Sequence, residues 1–218
     1  MDNASEDRPL DPAGMLDLVE RQQDHVVRSS AQLIPWILFT WAVAWTLGYI
    51  ALWLVDGLQP TFSLPSGVAA AIFFGLTAVA IAASAVLGPR SDRGVQTTKD
   101  SAFTGTVFGV ASAVALTSIF VLGVQLTAHG MPPEVAGVYF PAIYTLVVGV
   151  IYLMAGAVWR AVPCVVLGAM LVAVALVAGF FPYPSPYLVV GLAGGGVFLG
   201  GWVVTLLWVR GRGGSARR

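Results

Sequence analysis

Charge is scarce in this chain. Lys, Arg, Asp and Glu make up 10% of its 218 residues, where a soluble domain carries about 25%, and that shortfall excludes an ordinary water-soluble globule. The charges present cancel, eleven Lys+Arg against eleven Asp+Glu. No basic field exists for nucleic acid, and no acidic excess points to a disordered chain. One cysteine, Cys164, forbids an intramolecular disulfide. What fills the chain instead is apolar, with 57% hydrophobic residues and a mean hydropathy of +0.83. The lipid bilayer is therefore the first partner that the sequence implies.

A helix needs about 20 mostly apolar residues to cross roughly 30 Å of hydrocarbon. Six stretches meet that need: Leu33–Val55, Ser66–Gly88, Phe103–Leu126, Gly137–Val158, Pro163–Phe180 and Tyr187–Val209. None contains Asp, Glu, Lys, Arg or His. Turn residues separate them, among them Gln59-Pro60, Gly88-Pro89, Met131-Pro132-Pro133 and the run Phe181–Pro186. The thinnest separator is Trp159-Arg160-Ala161-Val162, after which Pro163 suits the first turn of a new helix. The expected fold is all-α, a polytopic bundle of six transmembrane helices.

Basic residues in short loops set orientation. Arg8, Arg21 and Arg28 precede the first span. Arg90, Arg93 and Lys99 follow the second, Arg160 the fourth, and Arg210, Arg212, Arg217 and Arg218 the sixth. The intervening loops, Asp56–Pro65, Thr127–Ala136 and Phe181–Pro186, have none. Both termini are thus expected in the cytoplasm. The first apolar run starts only after residue 32 and its leader is acidic, so a cleaved signal peptide is not expected.

Proton-coupled carriers keep an ionisable group inside a span because its cost there is tolerated only for use. Here the nearest candidates, Asp56, His129 and Glu134, fall at the outer ends of spans. His129 and Glu134 are two ligand types without a third, too few for a metal site. Nucleophilic catalysis needs a Ser, Thr or Cys beside a base, and Cys164, Ser84, Ser112 and Ser118 have none on their spans. No catalytic residue, cofactor residue or metal ligand is assigned, and an enzyme is not expected. The run Gly194–Gly200 lacks the strand and lysine of a nucleotide loop, so its glycines read as packing. Gly191/Gly195, Gly196/Gly200 and Gly105/Gly109 are spaced for close helix approach in lipid. Span six is expected at the centre. Span three, the most polar through Thr104, Thr106, Thr117, Ser118 and Gln125, is expected to face the interior. Trp41, Trp45, Tyr49 and Trp53 form a ridge on span one, read as a packing or lipid-facing surface, with a groove for an organic cation as the sharper alternative.

Residues 1–32 form an acidic cytoplasmic tail of net charge −4, with an amphipathic helix expected over about residues 11–30, its stripe being Met15, Leu18, Val19, Gln22 and Val26. An anionic leaflet would repel it, which favours docking onto the protein's own inner loops or onto a cytoplasmic protein partner. Residues 210–218 are a basic cytoplasmic tail that anchors span six. A second copy of the chain, forming a homo-oligomer, is a further candidate partner.

The stretch Met15–Gln23, the end of the first span Gly48–Trp53 and the run Tyr152–Trp159 resemble a group of uncharacterised actinobacterial multi-spanning membrane proteins loosely labelled as transporters. The resemblance implies a multi-pass protein of a bacterial plasma membrane. It carries no activity or site residue across. From the residues themselves, the expected role is a non-enzymatic accessory or regulatory component coupling the bilayer to a cytoplasmic partner. The alternative is a small transporter or permease subunit for a neutral or hydrophobic compound.

Overall fold

The computed structural model describes residues 33–91 and 99–215, and among them only helices and turns occur. In chain order these are α1 (Ile34–Trp53), α2 (Ser66–Ser91), α3 (Lys99–Ala128), α4 (Pro133–Val158), α5 (Val162–Ala178), α6 (Ser185–Val189), a π-helical turn (Val190–Gly194) and α7 (Gly195–Ser215). The last three run on as one rod. Five helices are long and apolar enough to cross a membrane. The sixth, α5, has 17 residues, about 25 Å at 1.5 Å per residue, short of the roughly 30 Å hydrocarbon core. Five long apolar helices and one shorter one are consistent with a polytopic membrane protein. The helix read over residues 11–30 and the loop bearing Arg93 lie outside the described residues.

Helix ends follow local chemistry. At the end of α3, Gly130 adopts φ +93°, the left-handed turn that glycine enters without a Cβ penalty. The Met131 amide then bonds back to the Leu126 carbonyl at 3.0 Å, and Pro132 prevents the helix from continuing. The α4–α5 break repeats this geometry. Arg160 takes φ 51°, the Ala161 amide bonds to the Gly156 carbonyl at 2.9 Å, and Pro163 occupies the first turn of α5. The thin separator is therefore a true helix break. At the other side of the bundle the long α1–α2 turn is closed by the Leu64 amide on the Leu54 carbonyl (2.9 Å) and the Ser63 hydroxyl on the Val55 carbonyl (2.7 Å).

Burial runs opposite to hydropathy. Of the five long segments, α1 is the least hydrophobic and has 44% of its apolar window buried; α2 and α3 are the most hydrophobic and have 6% buried each. In lipid the exposed surface is the one that must be greasiest, so the spans of lowest mean hydropathy, α1 and the last span, are the most buried. Helix α1 holds that place, packing on α2 along one side and on the α6–π–α7 rod along the other. Helices α4 and α5 form the closest pair, and α3 packs chiefly on α4, with a ring contact to α2 between Phe120 and Phe74 (6.4 Å).

Two expectations are overturned here. Span three is peripheral: its α4-facing stripe is Phe108, Ser112, Leu116, Ile119 and Gly123, while Thr104, Thr106, Thr117, Ser118 and Gln125 lie outside that stripe and are exposed. Exposure costs these hydroxyls little where they bond within their own helix, as Thr106 does to the Ala102 carbonyl at 2.8 Å. The glycine pairs also divide. Gly191 and Gly195 press on α1, but a side chain at Gly105, Gly109, Gly196 or Gly200 would meet open space. Span six is central through one of its two glycine faces, because successive residues on a helix point about 100° apart.

Candidate functional site

The interior is a column of aromatic rings built chiefly by α1 and the last span. Trp45 and Tyr49 of α1 are one turn apart, with ring centroids 5.6 Å apart. Gly191 and Gly194 lie opposite them on the π turn, where a Cβ would come within 3.0 Å of Tyr49 and 2.8 Å of the Trp45 ring. At Gly195 a Cβ would overlap the Thr46 hydroxyl. Below, Phe198 is 1% exposed and contacts Trp45 (5.2 Å), Tyr152 (5.9 Å) and Trp41 (6.4 Å). Above, Tyr49 continues to Tyr187 (6.4 Å) and Tyr187 to Tyr183 (6.3 Å). Trp41, Trp45 and Tyr49 of the span-one ridge thus pack inside the bundle.

Several polar groups of the column are neutral and held, whereas the indole N–H of Trp202, packed against the same core, is buried without a hydrogen-bond partner among the described residues. The Trp41 indole N–H donates to Ser84 Oγ at 3.0 Å, and that hydroxyl donates to the Ala80 carbonyl, which ties α1 to α2. Thr145 is fully buried and bonds to the carbonyl of Pro141, four residues earlier. Pro141 has no amide to offer the turn before it, where Gly137 sits. It is against Gly137 that Tyr183 packs, in space that any side chain there would occupy.

Tyr183 closes the column at the end formed by residues 54–65, 129–132 and 179–184. Its hydroxyl donates to the Asp56 carboxylate, whose other oxygen accepts from Gln59 Nε2 at 2.7 Å. Burial raises the Tyr183 pKa above the usual tyrosine value, and the Asp56 carboxylate adds to the rise by accepting the proton-bearing hydroxyl and by its charge. The Tyr183→Phe variant should lose about 1 kcal/mol, a typical net value for one hydrogen bond, read as a lower Tm in nanodiscs. The sign of the pH effect follows from the raised value. Tyr183 contributes fully below the usual tyrosine pKa and loses its contribution as pH rises through the folded-state value. The gap in Tm between wild type and Tyr183→Phe should narrow in alkali.

The sequence candidates divide between the two ends: Asp56, His129 and Glu134 share the end that Tyr183 closes, where the charge of Glu134 also adds to the rise in the Tyr183 pKa. His129 bonds through Nδ1 to the Gln125 carbonyl at 2.7 Å, and Glu134 is exposed in the first turn of α4. Cys164 begins α5 at the opposite end, half-buried beside Tyr152. Among the described residues, no three of His, Cys, Asp and Glu gather to hold a metal ion. The Asp56–Tyr183 closure and the π turn carried no signal in the sequence, since one joins residues 127 positions apart and the other differs from an α-turn by a single hydrogen-bond register.

Fold and site together define an all-helical chain, consistent with a polytopic membrane protein, whose central column is filled by its own aromatic side chains and closed at one end by a tyrosine–carboxylate contact. No protein-family model, no curated protein and no solved structure matches the chain.

Proposed function

We propose that this protein is a non-enzymatic accessory or regulatory component of a bacterial plasma membrane, coupling the bilayer to a cytoplasmic partner, with both termini in the cytoplasm. The supporting observation is where the ionisable side chains stand. Asp56, His129, Glu134 and Arg160 lie at helix ends and Arg210 just past the apolar stretch of α7, and the column between them is packed with aromatic and aliphatic groups. Fourteen of the 22 charged residues sit in residues 1–32 and 210–218, which is where a partner would be met.

Orientation is tested by thiol labelling. With Cys164 replaced, single cysteines at Gly94 and Gly214 should resist membrane-impermeant reagents in intact cells, and one at Gln59 should react. Labelling at Gly94 without lysis would reverse the assigned topology. Deletion of Met1–Arg28 tests the partner, since the basic residues after α2, α4 and α7 still fix insertion. The deleted chain should reach the membrane and lose captured cytoplasmic proteins; recovery of the same proteins with both chains would sink the coupling role.

The second reading, a small transporter or permease subunit for a neutral or hydrophobic compound, draws on the π turn, a feature frequent at functional sites, and on the Tyr183 closure above it. Its mark would be solute flux in liposomes that survives deletion of residues 1–28 and rises in Tyr183→Ala.

A further inference from the structure

Helix α5 ends well below its partner. Gly149 of α4 lies against Gly168 and Val172 of α5, and Gly156 against Ala161 and Val165, so the two helices are antiparallel and their register is fixed. Counting along both at 1.5 Å per residue, Ala178, the last residue of α5, is level with about residue 141 of α4. Helix α4 begins at Pro133 and so extends roughly 12 Å beyond that level. At the Arg160 end the two helices stop together.

The outer stretch of α4 is covered by chain that is not helical. Tyr183 packs on Gly137, and between Tyr183 and α5 run Gly179, Phe180, Phe181 and Pro182, all exposed, Phe180 to 88%. Among the described residues, the carbonyls of Gly179, Phe180 and Phe181 accept no hydrogen bond. Hydrocarbon offers such groups no donor, so exposed irregular backbone needs water or headgroups at its own level. With Arg160 held among headgroups at one end, α5 carries the chain about 25 Å, which leaves these carbonyls roughly 5 Å inside a hydrocarbon core of ordinary thickness. The α3 flank differs, since Ser101–Ala128 is a single apolar helix of 28 residues, long enough for the full core. Just below the exposed carbonyls, α4 and α5 leave an apolar groove of about 180 Å³ between Ala142, Ile143, Leu146, Ala175, Leu176 and Gly179. Leu176 on its rim is 61% exposed, so the groove faces lipid.

We propose that the α4–α5 flank is a lipid-binding surface that thins the bilayer locally: at the Tyr183 end, phospholipid headgroups and their water descend to the carbonyls of Gly179, Phe180 and Phe181, and an acyl chain fills the groove beneath. One leaflet is therefore drawn inward on this flank and not beside α3. The surface requires only that the chain span a bilayer, and it stands whichever role the protein has.

Nitroxide labels on single cysteines compare the two flanks at one height. The Tyr144 hydroxyl on the Leu116 carbonyl (3.1 Å) and the Phe120–Phe140 ring pair set the register of α3 on α4, which places the exposed Ser118 level with about residue 142, and hence with the end of α5. With Cys164 replaced, Phe180→Cys and Ser118→Cys are labelled in the full chain in dioleoylphosphatidylcholine nanodiscs. Collisions with a water-soluble nickel chelate are then measured against collisions with oxygen, which concentrates in hydrocarbon. The nickel-to-oxygen ratio should be at least about fivefold higher at residue 180 than at residue 118, because headgroup water reaches the first and acyl chains surround the second. Longer dierucoyl chains should leave the ratio at 180 unchanged and lower it at 118. A label at Leu176→Cys should report hydrocarbon; a high ratio there would mean water in the groove and would overturn its acyl occupant. Phe181→Cys serves as a second probe where the label at 180 unsettles the fold. Equal ratios on the two flanks, both low or both high, would overturn the local thinning, as would a ratio at 180 that falls with chain length as it does at 118. Capture of a cytoplasmic protein, or failure to capture one, does not move these ratios, so this surface and the coupling role are judged separately.

Discussion

Replacing Gly168 with Ala should cost the protein about 3 kcal/mol, the upper part of the range for overpacking, and Leu there should abolish recovery of folded protein. A Cβ at this position would lie 2.7 Å from the Gly149 carbonyl oxygen, 2.7 Å from the Leu153 amide nitrogen and 2.9 Å from Leu153 Cγ. Two of the three are backbone atoms, which cannot rotate away, so α4 and α5 must separate along their whole contact. Gly149 faces the same crossing from α4, its own Cβ position being 2.9 Å from the Val172 amide nitrogen and 3.0 Å from the Gly168 carbonyl. Gly149→Ala should be similarly damaging, and the double variant less than additive, since one separation relieves both clashes. Gly196→Ala and Gly200→Ala, which meet open space, should shift Tm by less than the scatter of the measurement or raise it slightly. Thermal denaturation in one lipid followed by tryptophan fluorescence gives the comparison; equal losses at Gly168 and Gly200 would refute the assigned crossing.

Phe198→Ala should be the most damaging truncation of the column. In water the cost of such a change combines lost transfer free energy with the cavity left behind. In a bilayer the separated helix is also surrounded by apolar tails, so the transfer part largely drops out and the cavity part remains. At about 24 cal/mol per Å³ over the roughly 100 Å³ removed, the loss is about 2–3 kcal/mol. Phe198 is surrounded by Trp41, Trp45 and Tyr152, bulky rings held by their own contacts, which limits collapse into the gap. Phe103→Ala, at a site 71% exposed, should cost under about 0.5 kcal/mol. A Phe198→Ala protein that unfolds with wild-type Tm would show that the column does not hold the bundle together.

The positions of the helices were legible in the sequence because length and freedom from charge suffice to mark them. Breaks at Gly130 and Arg160 could be read from Pro132, Pro133 and Pro163, whereas the spacing of Trp41, Trp45, Tyr49 and Trp53 left packing and lipid-facing surfaces both open, and the structure packs the first three into the core. Helix ends differ by a few residues since backbone hydrogen bonding runs beyond the apolar stretch: α3 extends from Lys99 to Ala128 around the run Phe103–Leu126. What could not be read is which helices lie inside. Every span is apolar all round, and the hydroxyls of span three misled because Ser and Thr can satisfy themselves on their own helix. Small-residue spacing permits close approach without saying where it happens. Gly149, Gly156 and Gly168 make the tightest contacts between α4 and α5, although the glycine pairs of spans three and six are the more regular. Of the candidate site, Asp56 was visible only as an end residue, for nothing local ties it to Tyr183.

The π turn at Val190–Gly194 amounts to one residue beyond what an α-helical path would use. Everything on the far side of it, Tyr187 and the loop carrying Tyr183, is thereby rotated by about 100° relative to an unbroken helix continuing from Gly195. The last span is then two faces set at independent azimuths, one aimed at Trp45 and Thr46 and the other at Tyr49 and Asp56. Loss of a single exposed residue such as Ala193 would re-aim the tyrosine closure and leave the Phe198 half of the same helix where it stands.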